Sequence, residues 1–234
     1  MSTAKLPAVA PLVAGQRVNQ ADFHERYEAM PPGSRAELIG GVVFMPSPVG
    51  KRHYITTANA VGWLWTYRTR TPGVELGDNG STALDDLGEV QPDAFLRILP
   101  DRGGQTRDMG KIIAGAPEMV IEVADSSKGV DLGPKLADYE RAGVLEYIVF
   151  AIDPDEVHWH VRQGNRLVRI PPDLDGLYRS KAFPGLWLDP SAMIADDCPA
   201  IAIALERGLA SEEHAAFVAS MKDRDRKIDD EGRP

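Results

Sequence analysis

The sequence predicts an α/β domain in which a mixed β-sheet is flanked by helices, with a helical extension at the C-terminus. Short apolar runs bounded by Gly, Pro and Asp alternate with longer segments in which apolar residues recur at helical spacing. The 234 residues are 43% apolar, which is enough to bury a large core and excludes an intrinsically disordered protein. Helices and strands that follow one another in this way are typical of helices packed on a sheet.

The first half of the chain begins with a helix and a hairpin. Asn19 can cap a helix that ends before Pro31. Apolar runs on both sides of Gly40-Gly41 indicate a β-hairpin, and apolar residues recur every three or four positions over 52–69. The predicted elements are a helix over 19–30, the hairpin over 36–45, a helix over 52–69, and strands over 74–77 and 90–99, with a polar connection over 78–89.

The second half contains the most apolar strand. Residues 118–124 form an apolar run around Glu122, which predicts a buried strand, and Gly143 ends a helix over 131–142. Further strands are predicted over 145–152, 157–161 and 166–170, a terminal helix over 199–221, and loops over 100–115 and 171–185. We therefore expect a flexible tail over 1–16, one domain over 17–193, and a C-terminal helical extension and tail over 194–234.

The charge is unevenly distributed. The formal net charge is −9, which argues against a generally basic nucleic-acid-binding surface, but the balance is +4 over residues 1–74 and −13 over 75–234. No stretch approaches about 18 uncharged apolar residues, so no membrane span is expected. Cys198 is the only cysteine, which excludes an internal disulfide and favours a cytoplasmic location.

Three carboxylates fall in or beside predicted strands: Glu37, Asp93 and Glu122. A carboxylate inside a buried strand is unfavourable unless it is paired or binds a metal. Two carboxylates about 4 Å apart repel by about 4 kcal/mol at an effective dielectric constant of about 20. A hard divalent cation, Mg²⁺ or Mn²⁺, would offset this repulsion. The alternative is that these are separate surface acids or salt-bridge partners.

The order and spacing of several short motifs resemble the Uma2 family, which is similar to a branch of the PD-(D/E)XK nuclease superfamily. The resemblance covers about residues 21–193. The motifs that carry it are Ala-Glu-Leu-Ile-Gly-Gly-Val-Val at 36–43, Met-Pro-Ser-Pro at 45–48, His53, Gln-Pro-Asp at 91–93, Pro-Glu-Met-Val-Ile-Glu-Val-Ala-Asp-Ser-Ser at 117–127, Asp-Leu-Gly-Pro-Lys-Leu-Ala-Asp-Tyr at 131–139, Ala-Gly-Val-Leu-Glu-Tyr at 142–147 and Phe-Pro-Gly-Leu-Trp-Leu at 183–188. The resemblance implies a restriction-endonuclease-like PD-(D/E)XK core.

The resemblance also implies a role for each candidate catalytic residue. Asp93 and Glu122 would be the metal ligands, and Glu37 would be the additional acidic residue of the first strand. The superfamily lysine normally stands two residues after the second acid, where this chain has Ala124. The helix that follows supplies Lys135, which would share one helix face with Asp131 and Tyr139, and Lys128 is the rival.

The implied activity is that of an endonuclease that hydrolyses phosphodiester bonds in DNA with Mg²⁺ as cofactor, and Mn²⁺ is the other candidate ion. Arg35, Lys51, Arg52 and His53 are candidate substrate-binding residues, and Arg68 and Arg70 add to the same basic stretch. Two alternatives stay open: a nuclease fold retained as an inactive binding or regulatory module, and a phosphodiesterase that acts on RNA. An apolar stripe in the terminal helix would allow a homodimer.

Overall fold

The computed structural model describes residues 9–231, with side chains through Lys222. The α-helices are α1 (Gln20–Glu28), α2 (Lys51–Arg70), α3 (Lys128–Val130), α4 (Leu136–Ala142), α5 (Pro190–Ile194), α6 (Cys198–Leu209) and α7 (Glu212–Glu231). A π-helical turn, Asp131–Lys135, joins α3 to α4, and a 3₁₀ turn spans Pro100–Arg102. The strands are β1 (Glu37–Ile39), β2 (Val42–Phe44), β3 (Val74–Gly77), β4 (Thr82–Asp85), β5 (Gly88–Val90), β6 (Ala94–Ile98), β7 (Arg107–Met109), β8 (Ile112–Ala114), β9 (Met119–Ala124), β10 (Glu146–Ile152), β11 (Asp155–Gln163), β12 (Arg166–Ile170), β13 (Tyr178–Arg179) and β14 (Trp187–Leu188).

The strands form two six-stranded mixed sheets and one two-stranded ribbon. The first sheet has the order β2-β1-β5-β4-β8-β7, and the second has the order β12-β11-β10-β9-β6-β3. Strands β9 and β10 are parallel and are joined by α3, the π-helical turn and α4, whereas the other pairs of the second sheet are antiparallel. This arrangement confirms the predicted α/β class.

The central strand β9 separates two hydrophobic cores. Ile121 and Val123 point toward the core that contains Trp63 and Leu64 of α2. Val120 and Ala124 point the other way, into the core between the second sheet, α4 and the first sheet. Glu122 alternates with Ile121 and Val123 and therefore lies on the Val120 face, as the period of two predicts. The sequence pattern thus determines which side of the sheet carries the buried carboxylate.

Three segments predicted to lack regular structure contain short elements. The connection over 78–89 holds β4 and most of β5, the loop over 100–115 holds the 3₁₀ turn, β7 and β8, and the loop over 171–185 holds β13. These predictions were wrong because strands of two to four residues are too short to display an alternating apolar pattern. In β7, for example, Asp108 pairs with Arg97 of β6 instead of contributing to a core.

The C-terminal helix is divided into two. Helix α6 ends at Leu209 and α7 begins at Glu212, whereas the sequence predicts one helix over 199–221. His214 of α7 folds back to within 2.9 Å of the Thr71 hydroxyl and 3.0 Å of the Leu209 carbonyl. The proposed division at residue 194 therefore separates segments that are packed together. None of the helices within residues 9–231 is long and apolar enough to cross a membrane.

The proposed N-terminal tail is partly anchored. Leu12 is buried in a small core with Phe23 and Leu38. The guanidinium of Arg26 donates hydrogen bonds to the carbonyls of Ala10 and Pro11 at 2.9 and 2.7 Å. Residues 1–8 of the predicted tail, and 232–234 at the other end, lie outside the described residues.

Helix α6 packs so closely on the loop before β14 that a side chain at Gly208 should lower the stability of the protein. A Cβ atom there would lie 2.2 Å from the Gly185 carbonyl oxygen and 2.7 Å from Cγ of Trp187. We expect Gly208→Ala to lower the free energy of unfolding by about 1–3 kcal/mol, measured by urea titration. Gly62→Ala is the matched control, because a Cβ at Gly62 of α2 meets no atom within 4 Å. The control should raise stability slightly through helix propensity, and equal effects at both sites would contradict the packing argument.

Candidate active site

The four predicted catalytic residues line one pocket. Its volume is about 280 Å³, and Glu37, Asp93, Glu122 and Lys135 all contribute to its wall. Glu37 comes from β1, Asp93 directly precedes β6, Glu122 is the fourth residue of β9, and Lys135 ends the π-helical turn. Because these elements belong to both sheets and to the β9–β10 connection, the pocket lies where the two sheets meet.

Lys135 lies at the centre of the acidic group. Its Nζ is 3.0 Å from Oε2 of Glu37, 3.0 Å from Oε1 of Glu122 and 3.8 Å from Oδ1 of Asp131. Only 5% of Lys135 is exposed. Burial by itself would lower the pKa of Lys135, but the three carboxylates outweigh burial and raise the pKa above its ordinary value. The side chain is therefore a buried ammonium ion held by carboxylates.

Glu122 is oriented by two donors on the next helical segment. Lys135 Nζ donates to Glu122 Oε1 at 3.0 Å, and the Tyr139 hydroxyl donates to the same oxygen at 2.7 Å. Burial raises the pKa of Glu122 well above its ordinary value; Lys135 opposes this shift, and the neighbouring carboxylates add to it. Lys135 and Tyr139 thus meet Glu122 from one face of the helical segment, as the spacing of four residues predicts.

Asp93 is fixed by the backbone of β9. Its Oδ2 accepts a hydrogen bond from the Val123 amide at 2.7 Å and lies 3.4 Å from Nε2 of His53. Burial lowers the pKa of His53, but Asp93 and more distant aspartates outweigh burial and raise it. His53 belongs to the first turn of α2, so the helix is joined to the carboxylate cluster at this point.

Glu37 is tied to the segment that carries Asp93. Its Oε1 accepts a hydrogen bond from the Gln91 amide at 2.8 Å. The Gln91 side chain donates in turn to the Tyr27 hydroxyl at 2.7 Å. The hydrogen bond between the Gln91 amide and Glu37 was not predicted from the sequence, although the Gln-Pro-Asp motif at 91–93 drew attention to this segment.

The two candidate lysines occupy different positions. Lys128 Nζ is 2.8 Å from Oε2 of Glu156 at the beginning of β11, and Lys128 does not line the pocket. Lys135 contacts both Glu37 and Glu122. The geometry therefore favours Lys135 over Lys128.

The candidate substrate-binding residues divide into two pairs. Arg35 and His53 line the pocket, whereas Lys51 and Arg52 lie outside it at the beginning of α2. Arg52 donates to the Ile152 carbonyl at 2.6 Å and is paired with Asp155. Another part of the pocket wall is uncharged and overlaps the predicted hairpin and the Met-Pro-Ser-Pro motif; its residues are Phe44, Met45, Pro46, Ser47, Pro48 and Val49.

The donor set suits a hard cation that retains water or substrate oxygens. Among the described residues, Asp93 Oδ1 and Glu122 Oε2 accept no hydrogen bond, while the second oxygen of each carboxylate is held by the protein. No group of three or more Asp, Glu, His or Cys side chains arranged for a metal is found within that described part of the chain. Mg²⁺ is commonly bound by one or two carboxylates together with substrate phosphates, so the pair Asp93 and Glu122 fits it.

The family model and the solved structure that match this chain are both described as nucleases. The model of the Uma2 family, described as "putative restriction endonuclease", matches residues 21–191. A crystal structure from Anabaena variabilis, described as a "putative nuclease belonging to DUF820", has a TM-score of 0.55 and 16% sequence identity, covering 73% of this chain and 96% of that one. None of the curated proteins compared with the chain matches it. At this identity the structural likeness establishes a restriction-endonuclease-like fold.

Proposed function

Because the chain belongs to the Uma2 family of nuclease-like proteins, we propose that it is a metal-dependent endonuclease that hydrolyses phosphodiester bonds in DNA. The observation that carries the proposal is the position of the Lys135 ammonium between Glu37 and Glu122, in the pocket that also contains Asp93. A cation surrounded by buried carboxylates, in a pocket where Asp93 and Glu122 each retain an unbonded oxygen, is an arrangement suited to phosphoryl chemistry.

Asp93 and Glu122 would hold Mg²⁺, which supplies Lewis-acid activation of water and neutralises charge on the scissile phosphate. Each ligand has its own support. The Val123 amide fixes one oxygen of Asp93, and Tyr139 fixes one oxygen of Glu122. Such supporting hydrogen bonds orient a ligand and leave its other oxygen free to bind.

Lys135 would stabilise negative charge during the reaction. A water oxygen attacks phosphorus, the P–O bond on the opposite side breaks, and the departing oxygen takes up a proton. Charge develops on the phosphoryl oxygens, and the ammonium, held charged by Glu37 and Asp131, is aimed at the same pocket. Arg35 and His53, which line the pocket, would contact phosphate.

The proposal predicts metal-dependent nicking of a supercoiled plasmid by the purified chain. The assay is run with Mg²⁺, with Mn²⁺ and with EDTA, and calorimetry measures Mn²⁺ binding near neutral pH. We expect nicking with either metal and none with EDTA. Metal binding without DNA cleavage, together with cleavage of an RNA substrate, would indicate the RNA-directed alternative. If the chain neither binds metal nor cleaves nucleic acid, the proposal is contradicted and an inactive binding module is favoured.

A further inference from the structure

Helix α2 has an unusual charge for this protein. Residues 51–70 contain four Lys or Arg and no Asp or Glu, although the whole chain carries a net charge of −9. Two of its arginines are paired with carboxylates of other elements: Arg52 with Asp155, and Arg70 with Glu206 at 3.7 Å. Lys51 remains exposed at the beginning of the helix. An acid-free helix on an acidic protein is complementary to a polyanion.

Two aromatic side chains project from the same helix. Tyr54 is 55% exposed and Trp65 is 54% exposed, so neither belongs to the core. They are eleven residues apart, which corresponds to about three turns and places them on one face, about 16 Å apart. The Arg68 guanidinium lies over the Trp65 ring, 5.2 Å from its centre. This combination of aromatic rings and basic groups is typical of surfaces that stack unpaired bases.

The surface between the two aromatics carries small exposed residues. Ala58 and Gly62 are exposed on this side of the helix. A Cβ added at Gly62 would meet no atom within 4 Å, so the chain's own packing does not require glycine there. The distance between the rings corresponds to about five stacking intervals of about 3.4 Å, which leaves room for about four bases between them.

The same helix leads to the catalytic pocket. His53, the residue before Tyr54, lines that pocket. The volume of about 280 Å³ is at the small end of ligand sites, and the pocket wall includes uncharged residues, among them Met45, Pro48 and Val49. A small pocket lined in part by apolar side chains receives one strand with its base unpaired more readily than an intact duplex.

We propose that the α2 platform, defined as Tyr54, Ala58, Gly62, Trp65 and Arg68, binds single-stranded DNA that leads into the catalytic pocket, so that the substrate is DNA with an unpaired strand. The statement that the bound strand is the substrate rests on the proposed nuclease function of the pocket. The binding of single-stranded DNA to the platform does not depend on that function. The platform supplies stacking through its rings, while Lys51 and Arg68 supply charge for the backbone.

The test measures binding by fluorescence anisotropy of the full chain in EDTA at low salt. The probes are a labelled oligodeoxyribonucleotide of about 20 nucleotides, its duplex, and the RNA of the same sequence. We expect the single strand to bind more tightly than the duplex. Trp65→Ala should weaken this binding about tenfold, because stacking on one aromatic side chain contributes roughly that factor. Gly62→Glu should weaken it at least as much, because it places a negative charge in the middle of the platform.

A control variant separates the platform from general effects of charge. Ile203→Glu adds the same charge on the exposed face of α6 and should bind within about twofold of the unmodified chain. Gly62→Glu should not melt earlier than the unmodified chain, since Glu is a better helix former than Gly, and circular dichroism checks this.

Several results would overturn the inference: duplex bound as tightly as the single strand, RNA bound more tightly than DNA, or no effect of either platform variant. A dimer that becomes a monomer in Gly62→Glu, measured by light scattering, would instead assign the face to a second copy of the chain. Because EDTA prevents metal-dependent cleavage, binding and nicking are judged separately. Plasmid nicking without preferential single-strand binding overturns only the platform. Preferential single-strand binding without cleavage of the plasmid or of the single-stranded oligonucleotide in Mg²⁺ or Mn²⁺ overturns only the nuclease.

Discussion

We expect Asp93→Asn to reduce metal-dependent nicking by at least about 100-fold while leaving the protein folded. Removing only the supporting partners of metal ligands typically lowers activity or affinity about 10- to 100-fold, so loss of a ligand's charge should have a larger effect. The asparagine carbonyl oxygen can still accept the hydrogen bond that the Val123 amide donates to Asp93 Oδ2. The substitution therefore removes charge and retains local geometry. The measurements are the nicking rate, Mn²⁺ affinity by calorimetry, and the melting temperature.

The control for Asp93→Asn is an equal change of charge away from the pocket. Asp86→Asn alters an exposed side chain between β4 and β5. It should nick DNA within about twofold of the unmodified rate, as expected for a surface substitution without a specific role. Full activity in Asp93→Asn would remove Asp93 from the site. Loss of activity in both variants would show that the assay responds to net charge rather than to this carboxylate.

The second large effect concerns stability: Lys135→Met should lower the free energy of unfolding by about 3–5 kcal/mol. The substitution leaves Glu37, Glu122 and Asp131 buried without the ammonium that each of them faces. For a chain of this length, such a loss corresponds to a decrease in melting temperature on the order of 10 °C. Mg²⁺ should restore part of the loss, because a divalent cation bound by the carboxylates reduces their repulsion.

The destabilisation caused by Lys135→Met should increase with pH. Burial already raises the pKa of Glu122, and loss of the ammonium removes the group that opposes this shift. A carboxyl whose pKa is raised in the folded state stabilises that state only while it is protonated, so its contribution is lost as pH rises through the folded-state pKa. The difference in melting temperature from the unmodified chain should therefore be larger at pH 8 than at pH 6.

Two further variants test this explanation. Glu37→Gln combined with Lys135→Met removes one of the repelling charges and should recover part of the stability, even if the single variant folds poorly. Lys128→Met removes the rival lysine, whose partner Glu156 is more exposed, and should change neither the melting temperature nor the nicking rate appreciably. Equal losses in Lys128→Met and Lys135→Met would contradict the assignment of Lys135 to the centre of the cluster.

The sequence predicts the candidate site better than it predicts the smaller elements of the fold. Glu122 stands out because a charged residue within an apolar run is rare, and the alternation of β9 specifies the face on which it lies. The family resemblance points to Lys135, and helical spacing predicts that Lys135 and Tyr139 share one face. In contrast, β4, β5, β7 and β8 escape prediction because their strands are very short and several of their side chains are polar. The division of the terminal helix at residues 210–211 has no strong sequence signal either.

The amino-acid sequence by itself determines the α/β class, the buried strand with its carboxylate, the family motifs, and the helix predicted over 52–69 within a segment that has no acidic residue. Those properties are local, since each depends on residues within a few turns or one strand length of one another. Only the tertiary structure decides that Lys135 rather than Lys128 meets Glu37 and Glu122, that Gln91 ties Glu37 to the Asp93 segment, and that the basic helix begins at the pocket wall. Those relationships join residues that are far apart in the chain, and they depend on how the two sheets and their connections pack.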